Sequence, residues 1–130
     1  MVDFVVELRP VGIYAESYAR PRPELPSVRQ TPVEIADRAR VVDYMRAVTP
    51  AFDVLDVTVD LVDGTTKVRS GSSLVTDGVW VWRTDSIRHL AAHGLPIDPD
   101  FLEHVRARDY RAPEDVEVTD ELEDALLRYY

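Results

Sequence analysis

His89 and His93 stand four residues apart, a spacing that puts two imidazoles on one face of a helix, as metal ligands require. Asp85 lies one turn earlier on the same stripe. Zinc needs at least one further protein ligand, yet the chain has no cysteine and no His-Glu-x-x-His. At about 100° per residue, Asp85, His89 and His93 fall opposite Ile87, Leu90 and Ala91, so they are expected to face solvent. His104 sits on a separate segment. A small enzyme or metal-binding protein using Asp85, His89 and His93 is thus an alternative function, while the main reading assigns no metal, no cofactor and no catalytic residue.

Two other groups invite chemistry. Asp53, Asp56, Asp60 and Asp63 crowd one stretch. Asp56 and Asp60 would lie about 13 Å apart on one strand face. Carboxylate pairs that share acid-base work stand closer, at about 5–9.5 Å, so a solvated face is expected. Ser70, Ser72 and Ser73 surround Gly71, but there is neither a Gly-x-Ser-x-Gly elbow nor a Gly-Lys-Ser/Thr loop. A bulged polar strand is expected there.

The remaining feature is electrostatic. From Arg111 onward the chain carries Glu114, Asp115, Glu117, Asp120, Glu121, Glu123 and Asp124 against Arg111 and Arg128. That is more than half of the net charge of −9. Acids in a first helical turn suit the helix dipole, which accounts for Asp120 and Glu121 but not for Glu114, Asp115 and Glu117. Tyr129 and Tyr130 close the stretch with a residue type enriched at protein interfaces.

These residues need elements to hold them. VDFVVEL alternates and predicts a first strand with Val2, Phe4, Val6 and Leu8 on one face. Three prolines in ARPRPELPSVRQ predict an extended loop. TPVEIADRARVVDYMRAV predicts a helix, with Thr31 as N-cap, Pro32 in the first turn and Glu34 completing a capping box. Leu55–Leu61 alternates, and Asp63-Gly64 and Asp77-Gly78 are two-residue hairpin signals. Together they predict a three-strand antiparallel meander whose last strand carries both tryptophans. Trp80 and Trp82 share one side of it and are expected in a core more than at an interface. Helices follow: one capped by Thr84 or Asp85 and closed by Gly94, one capped by Asp98 with Pro99, and one capped by Thr119 with Leu122, Ala125, Leu126 and Tyr129 inward. Val116 and Val118 suggest a brief strand. The fold class is α+β, an antiparallel sheet of four to five strands with three to four helices packed on it, in a single domain spanning 1–130.

Composition bounds the function. At 130 residues, 45% hydrophobic and 30% charged, this is an ordinary globular chain. Its acidity opposes DNA, RNA and anionic membranes as partners, because phosphate demands a cationic surface. No apolar run reaches the length of a membrane helix. MVDFVVELRP is acidic where a signal peptide is basic, and with no cysteine the expected compartment is the cytoplasm.

Residues 70–110, from SGSSLVTDGVWVWR to DFLEHVRARDY, resemble small bacterial immunity proteins encoded beside polymorphic toxins. The shared features are a polar Gly/Ser strand, an Asp-Gly hairpin into a Trp-rich strand (Thr76 to Trp82) and a short helix. A Leu-Pro step (Leu95-Pro96) and a Phe-Leu helix (Phe101, Leu102) follow. The resemblance implies an acidic, cytoplasmic, non-enzymatic protein that neutralises a toxin by binding it. The expected partner is another protein, a basic toxin domain, met by Glu114, Asp115, Glu117, Asp120, Glu121 and Asp124 with Tyr129 and Tyr130 as aromatic anchors. A self-assembling structural or regulatory subunit is a further alternative.

Overall fold

The Asp77-Gly78 step folds the chain back on itself. Asp77 Oδ1 accepts the amides of Val79 and Trp80 at 3.0 and 2.8 Å, and Gly78 takes φ 97°, a region that favours glycine. The architecture, a computed structural model describing residues 6–130, is built around the strand that follows this turn. In chain order the elements are β1 (Arg9–Pro10), a 3-10 turn (Ala15–Ser17), α1 (Arg38–Ala47), β2 (Val57–Val59) and β3 (Lys67–Arg69). Then come β4 (Leu74–Thr76), β5 (Trp80–Arg83), α2 (Thr84–His93), α3 (Pro99–Ala107) and α4 (Asp120–Leu127).

β5 is central in a three-stranded sheet of order β1-β5-β4. It pairs antiparallel with β4 (Val75 opposite Trp82) and parallel with β1 (Arg9 opposite Trp80). Pro10 suits an outer strand: the amides of Arg9 and Val11 reach Val79 and Val81 carbonyls, and the residue with no N–H lies between them. Trp80, Trp82 and Val75 form one face of the sheet, packed by Tyr44 and Met45 of α1, Ile87 and Leu90 of α2, and Phe101 and Val105 of α3. Leu74 and Val81 form the other, covered by Leu8, Ile13, Leu25 and the Leu122, Ala125 and Leu126 stripe of α4. Both tryptophans are core residues, 2% and 0% exposed, and Phe101 packs edge-on to each.

The fold is α+β with four helices, but the strands do not make one sheet. β2 and β3 form a separate two-stranded ribbon. The predicted middle strand breaks at residues 70–73. Ser70 adopts φ 53°, and Gly71 is pressed so closely onto Thr58 that a Cβ there would lie 1.8 Å from Thr58 Oγ1. Ser73 stands in for the ladder, its Oγ accepting the Val54 amide at 2.8 Å and donating to Asp53 at 3.0 Å. The seryl run is therefore a corner that redirects the chain, not a bulged strand. Both hairpins are longer than two-residue turns: β2 ends at Val59 and β3 begins at Lys67, and Thr76 pairs with Val81, leaving residues 77–80 between them.

α1 starts later than predicted. Thr31, Pro32 and Glu34 are exposed and non-helical, since this segment binds elsewhere: the Val33 amide donates to the Gly94 carbonyl and Arg38 Nη2 to the Val33 carbonyl. The caps of the last two helices are as expected, with Asp98 accepting the Asp100 amide and Thr119 the Leu122 amide. Gly94 closes α2 at φ 62°. Val116 and Val118 lie in no strand. Of the first predicted strand, Val2 and Phe4 lie outside the described residues, and Val6–Leu8 precedes β1 without strand pairing. No helix among the described residues is long and apolar enough to cross a membrane.

Candidate functional site

The stripe Asp85, His89, His93 does not face solvent. The β2–β3 ribbon lies over it, so Asp85 and His89 are buried and His93 is partly buried. The three side chains do not converge. Asp85 takes a bidentate grip from Arg83, Nε to Oδ1 at 3.0 Å and Nη2 to Oδ2 at 2.9 Å, with Thr58 Oγ1 added at 3.2 Å. His89 Nε2 accepts the Leu61 amide at 3.1 Å, which places its ring proton on Nδ1, a buried atom with no partner among the described residues. Burial lowers its pKa, and the Tyr14 ring stands edge-on to it at 5.8 Å.

His93 joins a different group. Its Nε2 lies 2.6 Å from Oδ2 of Asp60, a carboxylate with no exposed surface that Arg88 Nε also reaches at 2.7 Å. Oδ1 of Asp60 accepts the amides of Val62 and Asp63 at 2.8 and 3.0 Å. Burial by itself raises the Asp60 pKa. The Asp63 amide, His93, Arg88 and the Val62 amide outweigh that and hold the carboxyl well below the usual range. Asp63 holds the next turn, accepting from the Thr65 and Thr66 amides and from Thr66 Oγ1, and its pKa is pushed down to about 2 by those bonds.

The ligand atoms of Asp60, Asp63 and His93 lie within 4.8 Å of one another, the donor set for a divalent ion. Arg88 already supplies a cation to both carboxylates, 2.7 Å from Asp60 and 3.6 Å from Asp63. The arrangement acts as a lock between the ribbon turn and α2. The expectation that these aspartates line a solvated face is overturned for Asp60, and Asp56 is half-buried and bonded to Ser72. The Asp60-to-Gly64 spacing carried the one signal for this lock, because aspartate accepts amides two and three residues on.

A second buried carboxylate closes the other hairpin. Asp77 Oδ2 accepts Tyr44 Oη at 2.6 Å and faces His104 Nε2 at 2.8 Å. Burial raises the Asp77 pKa, and the Trp80 amide and Tyr44 lead the bonds that bring it below its ordinary value. Burial and then Asp77 push the Tyr44 phenol well up. His104 thus serves the Asp77 turn and belongs to no group with His89 or His93.

The C-terminal acids behave differently. Glu114, Asp115, Glu117, Asp120, Glu121, Glu123 and Asp124 are all exposed, and none has an ion-pair partner among the described residues. Val118, Leu127 and Tyr130 expose apolar surface beside them. The two terminal tyrosines differ. Tyr129 is tied into the fold, its Oη 3.4 Å from the Leu8 carbonyl and its ring under the Arg22 guanidinium. Tyr130 is 63% exposed and rests edge-on against Phe52. Comparison with protein families, with curated proteins and with solved structures finds no match to this chain.

Proposed function

We propose that this chain is a non-catalytic protein-binding module, in its sharper form an immunity protein that neutralises a basic toxin domain in the cytoplasm. The observation that carries the reading is the contrast between two sets of carboxylates. Asp37, Asp60, Asp63, Asp77 and Asp85 each hold internal donors. The seven from Glu114 to Asp124 project uncompensated into solvent. A concentrated, unpaired negative field steers a positively charged partner. Val118, Leu127 and Tyr130 offer the apolar contact that steering alone lacks.

A tagged chain captured on resin from its native lysate, washed at low and then high salt, tests this. One basic protein released by salt supports the reading and names the target. With that partner in hand, reversing Glu117, Asp120 and Asp124 to lysine slows association by about 10–100-fold at low salt and flattens its salt dependence. Unchanged association rates would move the site away from this surface.

A further inference from the structure

The β2–β3 ribbon carries two rows of side chains on the face turned away from α2. Val57 (58% exposed) and Val59 (45%) make one row, with Leu55 (94%) exposed just before β2. Arg69 and Lys67, directly opposite Val57 and Val59, make the other. Thr58 and Asp60 point the opposite way, to Asp85 and Arg88. Single exposed aliphatics need no account, but a contiguous row on a two-stranded ribbon does. Lys67 and Arg69 have no carboxylate partner among the described residues, in a chain with a net charge of −9.

We propose that this face docks an amphipathic helix of a partner protein, one whose apolar stripe is bordered along one side by carboxylates. The spacings agree. Alternate strand residues lie about 6.6 Å apart, and residues i and i+4 of a helix rise about 6 Å, so one stripe meets Val57 and Val59 in register. The cationic row lies about 4.8 Å to the side, where the neighbouring row of the helix would present Glu or Asp. A second copy of this chain fits poorly. A second copy would have to offer carboxylates beside an apolar stripe to Lys67 and Arg69, and the stripe of the acidic helix α4 is buried in its own core. This surface is separate from the acidic segment, on different elements and of opposite sign.

Two synthetic amphipathic peptides with the same leucine stripe, one flanked by Glu and one by Lys, are titrated into the isotope-labelled full chain. The Glu peptide is expected to shift amide resonances within residues 55–69. Its affinity should fall about tenfold or more in Lys67→Glu/Arg69→Glu, and in Val57→Ser/Val59→Ser. The Lys peptide should leave those resonances in place. The charge variant alone decides if the serine variant fails to fold. Equal response to both peptides, shifts elsewhere on the molecule, or no shift would overturn the proposal. So would a doubled mass in light scattering that Val57→Ser/Val59→Ser abolishes, which assigns the face to a second copy. Flotation with phosphatidylserine vesicles would assign it to a bilayer and overturn it equally.

Discussion

Asp60→Ala tests how much of the ribbon's attachment rests on one carboxylate. The substitution leaves the Val62 and Asp63 amides without an acceptor and strips Arg88 and His93 of theirs. Each backbone bond contributes about 1 kcal/mol and each charged one about 1.5–3 kcal/mol. Arg88 is 35% exposed and can rehydrate, which discounts its share. The sum is a loss of about 4–5 kcal/mol, or roughly 15–18 °C in Tm for a chain of this size. Asp60→Asn keeps an oxygen for the two amides but puts an amide NH2, a donor, where Oδ2 accepted Arg88 Nε, so only the two backbone bonds are spared and about half that cost is expected. The assay is urea unfolding followed by tryptophan fluorescence. Acidity supplies a second arm. The folded pKa lies below the unfolded value of about 3.9, so the stabilisation is complete above about pH 4 and fades as pH drops through the folded pKa. The gap between parent and Asp60→Asn should therefore narrow on acidification below about pH 4. A loss under about 1 kcal/mol for Asp60→Ala at neutral pH, or a gap that acid does not narrow, would refute the lock.

Two further outcomes follow from the packing. Gly71→Ala drives a methyl into Thr58 and should cost about 1–3 kcal/mol by thermal unfolding; adding Thr58→Ala should recover part of it, and strictly additive losses would place the conflict elsewhere. Of the six tyrosines, Tyr14 is pushed up to about 12, by burial first and then by Glu16, and Tyr44 is raised further. Unfolded chains release these protons near pH 10, so stability should fall as pH rises above about 10. Phenolate absorbance should then show both residues ionising only late or together with unfolding, and early titration of all six would contradict their burial.

Local signals in the sequence were reliable wherever the backbone satisfied itself. The Asp98-Pro99 and Thr119 caps, the Gly94 stop and the Asp77-Gly78 turn all depend on atoms within a few residues. Trp80 and Trp82, two apart, were expected on one side of a strand and in a core, and both are there. Signals failed where a distant group competed. Thr31 and Glu34 make a sound capping box, but the Gly94 carbonyl claims Val33 and the helix waits until Arg38. Asp37, the residue at that later start, holds Arg106 and Tyr110 of the α3 region instead of capping its own helix. The polar stripe of α2 looked solvated because nothing local reports that a ribbon will cover it. His93 was singled out for the wrong companions: its partner is Asp60, from the far side of a hairpin.

The placement of β5 also governs how the chain must assemble. Its parallel neighbour, Arg9–Pro10, comes from near one end, and the helix that shields Val81 comes from near the other. Tyr129 and Leu8, 121 residues apart, meet beside it. Loop closure on that scale must precede the contacts that reward it, so the hairpin of β4 and β5 can form early but stays bare on one side until both distant segments arrive. Until then Leu74 and Val81 are open to wrong pairings, and folding runs at the slower pace of non-local topologies.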